Sequence, residues 1–348
     1  MLYSVAQVQR LIASGRPLLL AGSEWALSQL PRGNWIGGSI CYFMGLEGGV
    51  CSETQIFVDE VPAFATGFGI RQYTGPRIVR SLVADTPAQG FALVIIPGGS
   101  PVHAIYARTA PDCEDLFSKR VVGWVSGVRV DRIGLERPLV FNGLTGMALS
   151  EEAVAMHVSL PAGYSVEVET VSVFGPGSAD TITFPRAGFS AAEATVNGQP
   201  ENFPGYLLRT ERDPHVPLTG RQNGRAISVS VQGFDEITGS IRFYAPVFPG
   251  VEYRFAQSVP DYVAAFNAVM EKHLAPSVFA CNCILNYFYA GLEGKRTGAV
   301  TGPITFGEIA HQLLNQTLVR LLIRDASGRS PTQPPLADSV DDVSRFFG

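Results

Sequence analysis

The chain has 348 residues, 46% of them hydrophobic and only 16% charged, with a formal net charge of −5. A charged fraction below the roughly 25% of ordinary domains implies a large core or a homo-oligomer interface, and the length suits two domains or one large α/β unit. Without a Lys/Arg cluster the footprint of a nucleic-acid binder is missing, and runs such as "FALVIIPGG" fall far short of the about 20 apolar residues a membrane span needs.

The N-terminus lacks a basic start and a cleavage site, which predicts a cytoplasmic protein. The odd number of cysteines, 5 in all, predicts reduced thiols and no disulfide framework.

Residues 4–14, "SVAQVQRLIAS", place Val5, Val8, Leu11 and Ile12 at helical spacing behind a Ser4 cap, and Gly15 ends the helix. "PLLLAG" predicts a strand, Ser23 caps the short helix "EWALSQL", and "NWIGGSICYFMGLEGG" reads as one strand with paired glycines in and after it. Two further strands, "TQIFVDEV" and "GFGIRQYT", lead to a helix in "GPRIVRSLVAD". "GFALVIIPGGSPVHAIYAR" is the clearest strand–turn–helix unit, with Pro101 opening the helix. Its all-apolar strand must be covered on both faces. "KRVVGWVSGVRV" reads the same way.

From about residue 136 to 255 short strand-like runs alternate with Gly, Pro, Asn and Asp, and the Pro-rich "PENFPGYLLRTERDPHVPLTG" predicts a junction between two halves. "SVPDYVAAFNAVMEKHLA" predicts a helix with Val263, Phe266, Val269 and Met270 on one side. "SVFAC" then predicts a strand, "NCILNYFYAGLEG" a helix, residues from about 306 another helix, and "TLVRLLI" a closing strand, before a polar tail from Asp325.

"PGGSPVH" could rest a phosphate or carboxylate on a helix start, though it lacks the lysine and spacing of a P-loop, and His103 is expected on the surface or in the core. No hydrolase, metalloprotease or kinase signature is present. Cys281 and Cys283 are spaced C-x-C, wrong for a redox C-x-x-C and short of ligands for zinc, so no metal is expected. Placed near a helix N-terminus, Cys281 divides between lining a site and inert core, whereas Cys283 reads as packing. Thr305 and Glu308 fit a capping box, and Gly307 inside that first turn implies a close approach.

In "VFAC" followed by "GPITFGEI", with weaker matches at "VNGQPENFPGYLLR" and "VVGWVSG", the chain resembles the FIST domain family (F-box and intracellular signal transduction) over about residues 30–323. The arginine that often follows that family's cysteine by three residues is Ile284 here, or Leu285 with a slip of one. The chain is most similar to stand-alone bacterial FIST-like proteins. That resemblance implies a cytoplasmic sensory protein that binds a small polar metabolite, such as an amino acid, and acts with a downstream signalling protein. It places Cys281, Thr305, Gly307 and Glu308 in the site, with Trp35, Gly37 and Gly38 as a second Gly-rich strand. Asn282, Asn286 and Asn315 join them as amides near two helix starts able to hold a polar ligand.

The expected fold is α/β or α+β, in two related halves with mixed β-sheets packed together and helices outside. The parts are residues 1–200 and 201–324, each like one part of a FIST domain, and a polar extension at 325–348. No cofactor is expected. Competing readings are a cysteine enzyme with Cys281 as nucleophile, for which His273 or His311 would have to be the base, and a scaffold that binds no ligand.

Overall fold

A computed structural model describes residues 1–178, 180–273 and 275–331 of the chain. The local signals at helix starts are realised. Ser4 and Gln7 form a reciprocal capping box before Val5–Ala13, Ser100 caps Pro101–Thr109, and Asp261 caps Tyr262–Met270. Each cap satisfies N–H groups that a helix start leaves without partners.

The fold is α+β. Three six-stranded mixed sheets dominate it, and each contains one parallel pair joined through a helical crossover. In the first sheet the pair is Leu18–Gly22 with Trp35–Ser39, linked through the helix Glu24–Leu27. In the second it is Gly90–Pro97 with Val121–Ser126, linked through Pro101–Thr109. In the third it is Phe279–Cys283 with Gly302–Thr305, linked through Ile284–Tyr289.

Strand period two decides how the layers stack. In "LLLAG", Leu18 and Leu20 join Val8, Ile12, Ala26 and Leu27 of the N-terminal helices in a small cluster. The alternate residues Leu19 and Ala21 point into the main core, which runs from Leu19 to Ile323 and so crosses residue 200. The first and second sheets meet face to face at Gly38: a Cβ there would lie 2.5 Å from Trp124 Cη2 and 2.7 Å from Ile95 Cγ2. Only glycine lets the Trp124 ring seat against that strand. The Cys281 thiol, 3.5 Å from the Gly123 carbonyl, marks where the third sheet touches the second. Residues 182–255 form three small three-stranded sheets around an aromatic cluster in which Phe184 meets Phe203, Phe243 and Tyr253 edge to face.

Three expectations are corrected. Residues 34–49 are not one strand, because the chain leaves the first sheet after Ser39 and enters the third at Tyr42. At the crossing the Ser39 hydroxyl donates to the Gly127 carbonyl and accepts the Leu139 N–H. No helix begins at residue 306: Glu308–Ala310 and Gln312–Leu314 are strands of the second sheet, the latter at its edge, turned by His311 at φ 66°. Every residue of these two strands is buried, which leaves no polar face for a surface helix. The helix after "SVFAC" starts at Ile284 with Cys283 as its cap residue, so Cys281 sits inside the strand, away from the helix start. Most of the polar tail lies outside the described residues.

Candidate functional site

The parallel register pairs Asn282 with Ile304 and Cys283 with Thr305, which brings Cys281, Asn282, Thr305, Gly307 and Glu308 together in a buried polar node. The Thr305 hydroxyl donates to Glu308 Oε1 at 3.0 Å, a side-chain bond in place of the two backbone contacts of the expected capping box. Glu308 is 0% exposed, Oε2 has no hydrogen-bond partner, and burial pushes the carboxyl well above the ordinary carboxylate range. Glu308 is therefore held as a neutral acid. Asn282 Oδ1 accepts the Cys283 N–H at 2.7 Å and the Asn286 amide at 2.9 Å.

Burial, followed by the nearby Glu308, pushes the Cys281 thiol well up, the opposite of what a nucleophilic thiolate requires. Neither candidate base reaches it. His273 is held by Glu169 at 2.5 Å, and His311 Nε2 meets the Lys119 carbonyl at 2.9 Å. The close approach expected at Gly307 comes from the protein's own core, since a Cβ there would meet Leu313 at 2.7 Å and Val125 at 3.2 Å. Asn315 is buried, with its carbonyl accepting from the Ser228 and Thr317 hydroxyls.

Trp35, Gly37 and Gly38 are not brought to this node. They lie in the first sheet, with Trp35 Nε1 donating to the Pro31 carbonyl at 2.9 Å. The void beside Cys281 and Asn282 measures about 10 Å³, room for about one water molecule.

The large cleft lies at the carboxyl ends of the parallel strands Gly90–Pro97 and Val121–Ser126, where open α/β sheets hold their ligands. It encloses about 990 Å³ between the Gly98-Gly99-Ser100 turn on one side and residues 185–193 and 232–244 on the other. Gly99, at φ 71°, makes the turn that a side chain would strain. The Ser100 hydroxyl donates to the Pro97 carbonyl at 2.6 Å and accepts the His103 N–H at 3.1 Å, which fixes the start of the helix.

His103, one turn in, lines the cleft. Its Nδ1 accepts the Gly99 N–H at 3.3 Å, and burial lowers the imidazole to about 4. The ring is therefore neutral near pH 7 and carries its proton on Nε2. That Nε2 is shut from solvent and has no hydrogen-bond partner. Phe189 stands edge-on to the ring at 5.8 Å, with the Arg108 guanidinium 5.9 Å from the Phe189 centroid.

The charges in the cleft are unevenly satisfied. Glu136 is paired with Arg132 at 3.8 Å, and Asp235 accepts the N–H groups of Ile237 and Thr238 at 3.0 and 3.3 Å. Among the described residues Arg108, Arg186 and Arg242 carry no ion pair, nor do the acids Glu193 and Asp235, although the Asp235 carboxyl is lowered first by the Thr238 N–H and also by Arg242 from a greater distance. Val125, Val128 and Phe306 supply apolar wall. Phe306 can lie there because Gly127 has no Cβ, which would sit 2.1 Å from Phe306 Cδ2.

One segment thus serves both places, with Thr305 and Glu308 in the node and Phe306 on the cleft. Sequence reading passed over Arg108, Phe189 and Arg242, which are far apart along the chain. "PGGSPVH" was the signal that could have found the cleft.

Residues 3–324 match the model of a family described as a Family of unknown function (DUF6976). No curated protein matches the chain. Among the described residues no group of three or more His, Cys, Asp or Glu is placed to hold a metal ion, and no helix is long and apolar enough to cross a membrane.

Proposed function

The chain belongs to the DUF6976 family, and we propose that it binds a small carboxylate or phosphate metabolite, such as an amino acid, in the cleft at Gly98-Gly99-Ser100. In this reading it acts as an intracellular sensor whose occupancy is read by another protein. The observation that carries the proposal is the charge in the cleft: among the described residues Arg108, Arg186 and Arg242 line it together with the Gly98-Gly99-Ser100 turn and carry no ion pair. Three unpaired guanidiniums favour an anionic head group, and Phe189 and Phe306 suit an apolar body. Glu193 is available for an ammonium group. The likeness of "VFAC" and "GPITFGEI" to FIST domains supports the sensory role.

A thermal-shift panel of amino acids, 2-oxo acids and phosphorylated metabolites tests this. A ligand at a hundredfold excess over Kd adds about 2.7 kcal/mol to stability. The expected result is a saturable rise in Tm that Arg242→Ala or His103→Ala abolishes and Glu308→Gln leaves in place. A panel without a hit, or hits that survive both cleft substitutions, overturns the proposal.

A further inference from the structure

Outside the cleft and the node, the thiols of Cys41 and Cys51 face each other with Sγ atoms 3.6 Å apart. The backbone fixes this approach. Tyr42 is paired in register with Cys51, and the Ser52 N–H donates to the Cys41 carbonyl at 2.7 Å. Cys41 is 3% exposed, while Cys51 is only half-buried. Cys51 is thus the residue of the two that has access to solvent, and Cys41 is packed behind it.

The surroundings push the two thiols in opposite directions. The hydrogen bond shared with Cys41 lowers the Cys51 thiol first; burial opposes it, Arg129 adds to it, and Glu293 and Glu53 work against it. The same hydrogen bond raises Cys41, with burial adding to the rise. Arg129 is itself held by Asp131 at 3.0 Å and Glu53 at 3.6 Å. Among the described residues no third metal-ligating side chain joins the two sulfurs, so the arrangement is a dithiol.

We propose that Cys41 and Cys51 form a reversible dithiol–disulfide pair that responds to peroxides. The Cys51 thiolate attacks one peroxide oxygen and the O–O bond breaks. Cys51 becomes a sulfenic acid, and the departing hydroxide takes a proton to become water. The Cys41 sulfur, giving up its proton, then attacks the sulfenic sulfur; the S–S bond forms, the S–O bond breaks, and the departing hydroxide with that proton becomes a second water. Two thiols and one peroxide thus give one disulfide and two waters, with the sulfurs oxidised by two electrons in total and the peroxide reduced by two.

Closing the bridge brings the sulfurs from 3.6 Å to about 2.05 Å. The other thiols lack this setting. Cys281 and Cys283 are buried, with thiols pushed well up, and no sulfur contact to Cys113 is present among the described residues.

Treatment of the whole chain with dilute hydrogen peroxide, then alkylation and peptide mass mapping, tests the proposal. The expected product has lost the mass of two hydrogens, joins the peptides that carry Cys41 and Cys51, and returns to the starting mass with dithiothreitol. Cys41→Ser should leave a sulfenic acid on Cys51 that dimedone labels, and Cys51→Ser should slow oxidation of Cys41 at least about tenfold. The proposal is overturned if both thiols of the wild type stay open to alkylation at peroxide levels that oxidise Cys113. A bridge to Cys113, or Cys51 over-oxidised without a bridge, overturns it equally.

Discussion

Replacing Glu308 by glutamine isolates the ionisation of a single buried carboxyl, because the side chain keeps its shape and can no longer ionise. Glu308 is fully buried, with the Thr305 hydroxyl donating to it at 3.0 Å, and its carboxyl is raised well above the ordinary range by burial. In the unfolded chain a glutamate ionises near pH 4.3. Above that pH the unfolded state has released a proton that the folded state still holds. Stability is therefore greatest below the unfolded value and falls as pH rises, by about 1.4 kcal/mol per pH unit, until the folded carboxyl also ionises. For 348 residues, with an unfolding entropy of about 2 cal/mol/K each, this amounts to about 2 °C in Tm per unit. Urea unfolding of wild type and Glu308→Gln at about pH 5 and about pH 6 reads the effect, and the difference should move in the variant's favour by about 1.4 kcal/mol. Parallel profiles would mean that Glu308 is already ionised in the fold, and would refute a neutral buried acid.

Two further substitutions bear on the core and on the cleft wall. His157, 2.6 Å from the Tyr73 hydroxyl, is lowered to about 4 by burial. Its contribution is intact above about pH 6.5 and is lost on acidification, so His157→Gln should flatten the acid limb of a urea-midpoint profile by about 1.4 kcal/mol per unit; an unchanged limb refutes this. Gly127→Ala drives a methyl against the Phe306 ring, with an expected loss of about 1–3 kcal/mol in urea unfolding and weaker binding of any ligand found for the cleft. Wild-type stability in that variant would show that Phe306 has room to yield.

Elements whose causes lie within a few residues were legible in the sequence. Ser4, Ser100 and Asp261 cap their helices through amides three positions away, and the apolar run at 90–97 could only be a strand covered on both faces. The segment after Thr305 misled because its local pattern is ambiguous. Thr305 and Glu308 do meet, but through their side chains and not through the backbone N–H groups of a capping box, and the Glu308–Ala310 backbone bonds to Val121–Ser126 across a long stretch of chain. Backbone pairing at a buried sheet edge outweighs the local helix signal. The cleft depends on tertiary structure to a still greater degree: His103, Phe189, Arg242 and Phe306 meet only because the second sheet and the 182–255 strands pack together. The sulfurs of Cys41 and Cys51 are likewise brought together by a strand register. Composition and short-range pattern determined the α+β elements and the great depth of the core. Which polar groups share a site was decided by sheet packing, since contacts between distant residues leave no periodic trace along one chain.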